Sequence, residues 1–163
     1  MKLPRGLVLP LAAGFMPVLL ALVMFFEGCS LTAYQDQAGV WTICYGHTAG
    51  VKRGDVATRS QCVAWLQDDL QQAIKAVDRK LKVDVGWLCR VAHVDFVVQY
   101  GETRYGKATL LSRFNAGDRF GAPDEFLRWV FVDGKDCRLA ASKCGGIVTR
   151  QQVRRELCMV GAP

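Results

Sequence analysis

Glu27, Asp36 and Thr42 stand in the pattern E-x8-D-x5-T. Two carboxyl groups and a hydroxyl at such spacing suit hydrolysis of a glycosidic bond. That reaction needs one carboxylic acid to protonate the leaving oxygen and a second carboxylate to activate water or attack the sugar. Glu27 ends an apolar stretch, where desolvation favours the protonated form that an acid requires. Asp36 falls among turn residues, where a solvated carboxylate stays charged, and Thr42 follows on the next strand, within reach of a water held by Asp36. Environments that push two carboxyl groups apart in acidity are the mark of an acid–base pair. On spacing alone the three residues read equally as an interfacial charge, a turn former and an ordinary strand residue.

The elements that must position them can be read from hydrophobic patterning. Residues 6–26 form 21 consecutive uncharged positions, preceded by Lys2 and Arg5. Their length and flanks fit a membrane-spanning helix with a cytoplasmic N-terminus. The run ends in Met24, Phe25 and Phe26, which do not form a small-residue cleavage site, so an uncleaved N-terminus is expected. Gly6, Gly14, Pro10 and Pro17 weaken the run as a helix. Part of it also fits a buried core helix.

Short alternating segments at 31–34 and 40–45, separated by Asp36 and Gly39, predict a small antiparallel sheet. Thr58 and Gln61 form a capping box that opens a long helix with Cys62, Leu66, Leu70, Ala73, Ile74, Val77 and Leu81 on one face. Residues 87–100 are apolar nearly all round, as in a central buried helix ending at Gly101. Shorter helices are expected at 108–115 and 123–130, with Pro123 near a first turn. A loop is expected over 133–146, then a last helix capped by Thr149 and Gln152. The fold class is α+β, with a small antiparallel sheet lobe and a mostly helical lobe.

With a net charge of +6 and no polybasic tract, the chain carries no nucleic-acid recognition motif, so a nucleic-acid partner is not expected. Seven cysteines, without paired C-x-x-C knuckles and with only His47 and His93 to assist, argue against a metal site and for disulfides in an oxidising compartment. Cys137 and Cys144 flank a short polar segment and form the safest pair, worth roughly 2–3 kcal/mol if unstrained. Cys44 and Cys62 are the other disulfide candidates, and the odd count leaves at least one thiol free. No cofactor is implied. Trp41, Trp65, Trp87 and Trp129 read as core aromatics, and His93, inside the apolar helix, as structural.

The stretch EGCSLTAYQD at 27–36, followed by GVWTICYGHT at 39–48, resembles the phage lysozyme family (glycoside hydrolase family 24), and within it the lambdoid-phage endolysins of the signal-anchor-release class. The likeness continues through 62–77, QYGET at 99–103, 110–115, 124–130 and 147–158. It implies a lysozyme-like fold and muramidase action on the β-1,4 bond between N-acetylmuramic acid and N-acetylglucosamine, with an inverting outcome. Carried over, Glu27 is the acid, Asp36 activates or orients water and Thr42 assists. The family pattern also makes Asp69 the partner of His47, in a structural role. Two departures stand out. Gln99 occupies a position where close relatives carry Asn, and residues 1–28 hold no cysteine that could take part in the anchor-thiol exchange some relatives use.

The resemblance also implies a division of the chain. Residues 1–26 would form an uncleaved anchor that supplies the first helix, over about residues 19–27, and 27–163 the lysozyme domain. The protein would sit in the host inner membrane with its domain periplasmic and then be released to the periplasm. A monomer acting on peptidoglycan is expected. The competing reading is a membrane-anchored peptidoglycan-binding module that keeps the fold without the chemistry.

Overall fold

The computed structural model describes residues 3–36 and 39–160. Lys2, one of the two flanking charges of the N-terminal run, and the last three positions of the expected 27–163 domain lie outside the described residues.

The uncharged run is not one helix. A 3-10 turn at Leu11–Ala13 ends at Gly14, whose φ of 85° and ψ of −165° break the path, and α1 follows over Phe15–Glu27. Helix α1 thus begins several residues before the position near 19 expected from sequence. Pro17 falls in its first turn, where a missing N–H costs no helical bond. Gly14 and Pro17 set the start of the helix in this fold instead of kinking a longer one. Val18, Leu19, Leu22 and Val23 are fully buried, and α1 packs on the central helix through this stripe. Leu7 and Leu9 fold back into the same core. Among the described residues no helix is long and apolar enough to cross a membrane.

Two residues after α1, β1 (Ser30–Gln35) pairs antiparallel with β2 (Trp41–Cys44), placing Tyr34 opposite Thr42 and Gln35 opposite Trp41. The segment through Asp55 and Ala57 extends this lobe by backbone hydrogen bonds to Ala33 and Leu31.

Helix α2 (Arg59–Lys80) starts at the expected box: Gln61 N donates to Thr58 Oγ1 at 3.2 Å, and Thr58 N to Gln61 Oε1 at 2.8 Å. Its buried face is Cys62, Leu66, Leu70, Ala73, Ala76 and Val77. The chain leaving α2 is clamped by Asn115, which donates to Lys80 O and accepts from Lys82 N. Helix α3 (Trp87–Lys107) is buried almost all round from Leu88 to Val97 and packs against both α2 and the last helix. At Gly101 its path breaks, with φ 80° and ψ 159°, a conformation essentially reserved for glycine, and a second helical segment follows.

Helix α4 (Thr109–Asn115) leads to a 3-10 stretch at Ala122–Arg128 with Pro123 in its first turn. The expected 133–146 loop contains one strand of a two-residue hairpin, β3 (Phe131–Val132) with β4 (Lys135–Asp136). Helix α5 (Gly145–Val160) starts four residues before Thr149. Thr149 Oγ1 donates to Gly145 O at 3.3 Å, so its hydroxyl bonds back to the preceding turn and does not cap the helix. Trp87 is exposed at the start of α3, unlike the core position expected, whereas Trp129 packs on Phe96 and Tyr100.

Disulfides join Cys44 to Cys62, Cys137 to Cys144 and Cys89 to Cys158, the last tying α3 to α5. The Cys89–Cys158 link was not expected from sequence. Among the described residues Cys29 is the thiol outside a disulfide, and it is exposed.

Candidate active site

Glu27 is the last residue of α1. It is not enclosed by apolar groups as its sequence position suggests. Its side chain remains 29% exposed, and Arg150 Nη1 on α5 donates to Oε1 at 2.7 Å. Arg150 is buried and stacks over the ring of Phe26 at 5.3 Å. Glu27 also lines a cleft of about 440 Å³, together with Tyr45 and Thr48 from the sheet lobe, Asp69 from α2 and Glu102 from α3. The cleft therefore lies between the two lobes, with a carboxyl group at the junction.

Asp36 and Thr42 belong to the hairpin and do not line that cleft. Both are fixed through Val40. Val40 N donates to Asp36 Oδ1 at 2.9 Å, and Thr42 Oγ1 donates to Val40 O at 3.1 Å. One residue thus sets the spacing between the hairpin carboxylate and the hydroxyl, while Glu27 reaches the same lobe through Gly28 and Cys29.

His47 Nδ1 lies 2.8 Å from Asp69 Oδ2, and its Nε2 lies 3.1 Å from Ala49 O. Its ring stacks on Trp65 at 5.0 Å. These contacts tie the strand-side turn to α2 at the edge of the cleft. His93 is fully buried, its Nδ1 hydrogen-bonded to Tyr105 Oη at 3.0 Å, while Nε2 has no partner among the described residues. Burial pushes its imidazole down to about 3. His93, Cys89 and Cys158 bring three metal-type donors together, but the two sulfurs are joined to each other here. Gln99 Oε1 is likewise buried without a partner among the described residues.

Behind Glu27 lies a network that sequence reasoning missed. Asp95 on α3 is fully buried and accepts from Arg150 Nε at 3.0 Å and Nη2 at 2.6 Å. It also accepts from Arg154 Nε at 2.7 Å, and its backbone oxygen accepts from Arg154 Nη2 at 2.9 Å. Burial alone would push the Asp95 carboxyl up, yet Arg150 and Arg154 hold it below the usual carboxylate range. Arg154 Nη1 donates to Gln151 Oε1, and Gln151 Nε2 donates to Tyr100 Oη. A carboxylate inside an otherwise apolar helix was the available signal, since a buried charge demands cationic partners. Nothing in the sequence said which arginines supply them.

The phage lysozyme family model matches residues 24–154, from the last turn of α1 to α5. The chain belongs to the phage lysozyme family. It is a lysozyme-type glycoside hydrolase with the α+β, lysozyme-like fold. A signal-anchor-release (SAR) endolysin of Enterobacteria phage PA-2 is 35% identical over 136 residues, covering 83% of this chain and 78% of that protein. An endolysin of Acyrthosiphon pisum secondary endosymbiont phage 1 is 36% identical over 140 residues, covering 85% and 92%. The muramidase domain of SpmX from Asticaccaulis excentricus superposes with a TM-score of 0.79 at 25% identity, over 89% of this chain and 97% of that one. This phage lysozyme is thus similar in sequence to proteins named endolysins and in architecture to a muramidase domain.

Proposed function

We propose that this phage lysozyme is an endolysin that cleaves the β-1,4 bond between N-acetylmuramic acid and N-acetylglucosamine in peptidoglycan, for host-cell lysis. The observation that supports this most strongly is Glu27, a carboxyl group lining an interlobe cleft and paired with a buried arginine. In this reading protonated Glu27 gives its proton to the glycosidic oxygen as the bond to the anomeric carbon breaks. Water attacks that carbon from the opposite face and loses a proton toward Asp36, with Thr42 helping to hold the water. The outcome is inversion. Arg150 then faces the carboxylate that Glu27 has become and stabilises it.

Residues 6–26 act first as a signal anchor, in the host inner membrane with the domain in the periplasm. A 21-residue helix is about 30 Å long, enough for the hydrocarbon core, whereas the 13 residues of folded α1 are about 20 Å. One segment cannot occupy both places, so release from the membrane accompanies the docking of α1 on α3. The SAR-endolysin names of the phage relatives support this order. Glu27→Gln tests the catalytic reading: it removes the acid, and the variant loses clearing of peptidoglycan suspensions while still binding the wall. A non-catalytic binding module would show no Glu27-dependent clearing.

A further inference from the structure

We propose that Asp95 is a positioning residue for the reaction, fixing the orientation of the arginine that faces Glu27 and offsetting its positive charge. The inference rests on the reading of Glu27 as the acid. Asp95 does not line the cleft. It acts through Arg150, which presents one edge of its guanidinium, Nε and Nη2, to Asp95 and its remaining nitrogen, Nη1, to Glu27. A two-point fork fixes a planar guanidinium far better than a single contact does. The direction of Nη1 is therefore set from the Asp95 side, and α3 determines where on α5 the carboxylate of α1 is received.

The charges point the same way. Glu27 and Asp95 face Arg150 and Arg154, two negative groups against two positive ones. Other polar or titratable groups surround the cluster. Tyr100 on α3 and Gln151 on α5 pack beside Arg154. On the cleft side Glu27 meets Tyr45 from the hairpin, Asp69 from α2 and Glu102 from α3, and Glu102 is itself paired with Arg79 and Lys80. Neutralising Asp95 leaves two buried guanidinium groups against the single charge of Glu27. The ionised form of Glu27 is then held more strongly, and less of the proton-donating form is present at a given pH.

The experiment compares wild type, Asp95→Asn and the double variant Asp95→Asn/Arg154→Gln, which restores the charge balance. The expected result for Asp95→Asn is an alkaline limb of the kcat–pH profile moved acidward by about 1 unit, kcat lowered about tenfold on that limb and KM little changed. In the double variant the limb returns toward its wild-type position. The carbon-detected NMR titration of the Glu27 carboxyl group moves in the same direction in Asp95→Asn, and this readout does not depend on catalysis. If Glu27→Gln retains activity, the catalytic reading fails while the titration still tests the link between Asp95 and Glu27. An unchanged Glu27 titration in folded Asp95→Asn overturns the proposal. If Asp95→Asn does not fold, the decision falls to Asp95→Asn/Arg154→Gln against Arg154→Gln alone, with identical Glu27 titrations in the two overturning it.

Discussion

Replacing His93 by glutamine should flatten the acid side of the stability curve. His93 is wholly buried among Tyr105, Phe114 and Phe126, and burial lowers its imidazole from 6.5 to about 3. Between those values the unfolded chain binds a proton that the folded chain refuses. The unfolded state thus carries more protons, and stability falls as pH falls through this window. At about 1.4 kcal/mol per unit, the cost reaches about 3 kcal/mol at pH 4.5 and about 4 kcal/mol at pH 3, levelling off at about 5 kcal/mol below that. Glutamine keeps an acceptor for Tyr105 Oη and does not titrate. The assay is urea unfolding of wild type and His93→Gln, disulfides intact, at pH 7 and pH 4.5. Wild type should lose about 3 kcal/mol more than the variant across that interval. Asp95 works in the same direction but lower: its folded value is depressed, so its stabilisation is present above the usual carboxylate range and is lost only as pH falls below it. It does not mask the result at pH 4.5. Parallel losses in the two proteins would refute the assignment of a neutral, desolvated imidazole.

The remaining predictions concern the crosslinks and the anchor. The Cys89–Cys158 disulfide spans 69 residues and Cys137–Cys144 spans 7, so a chain-entropy argument assigns about 4 and about 2 kcal/mol to them. Thermal unfolding of the two double-alanine variants should show the larger loss for the α3–α5 link, and the reverse order would contradict that argument. With residues 6–26 as a releasable anchor, the full-length chain should pellet with membranes in energised cells and appear in the periplasmic fraction after the membrane potential collapses. Fractionation showing a cleaved N-terminus, or no change on de-energisation, would count against the anchor.

The sequence made some parts of this molecule legible because the determining contacts are local. The Thr58–Gln61 box needs only a four-residue window, and it opens α2 where expected. The glycine break at Gly101 and the first-turn Pro123 are local in the same sense. Thr149 and Gln152 show how that logic fails. The same residue spacing occurs inside α5, where the hydroxyl of Thr149 bonds to the turn before it. Gly14 and Pro17 read as weak points of a long helix, and only the packing of Val18, Leu19, Leu22 and Val23 on α3 makes them the start of a shorter one. The candidate site divides along the same line. Glu27, Asp36 and Thr42 lie within 16 residues of one another, and their pattern is visible in the chain. Arg150 reaches Glu27 across a separation of 123 residues, and Asp95 reaches Arg154 across 59, distances over which spacing carries no information.

Glu27 as the proton donor of a muramidase can be tested at the level of the bond cleaved. The most direct measurement digests purified peptidoglycan with wild type and with Glu27→Gln and identifies the soluble products by mass spectrometry. Wild type should release muropeptides ending in reducing N-acetylmuramic acid, and a folded Glu27→Gln protein none above background. Equal release by the variant, or wild-type products cut at the peptide or amide bonds instead of the glycan, would contradict it.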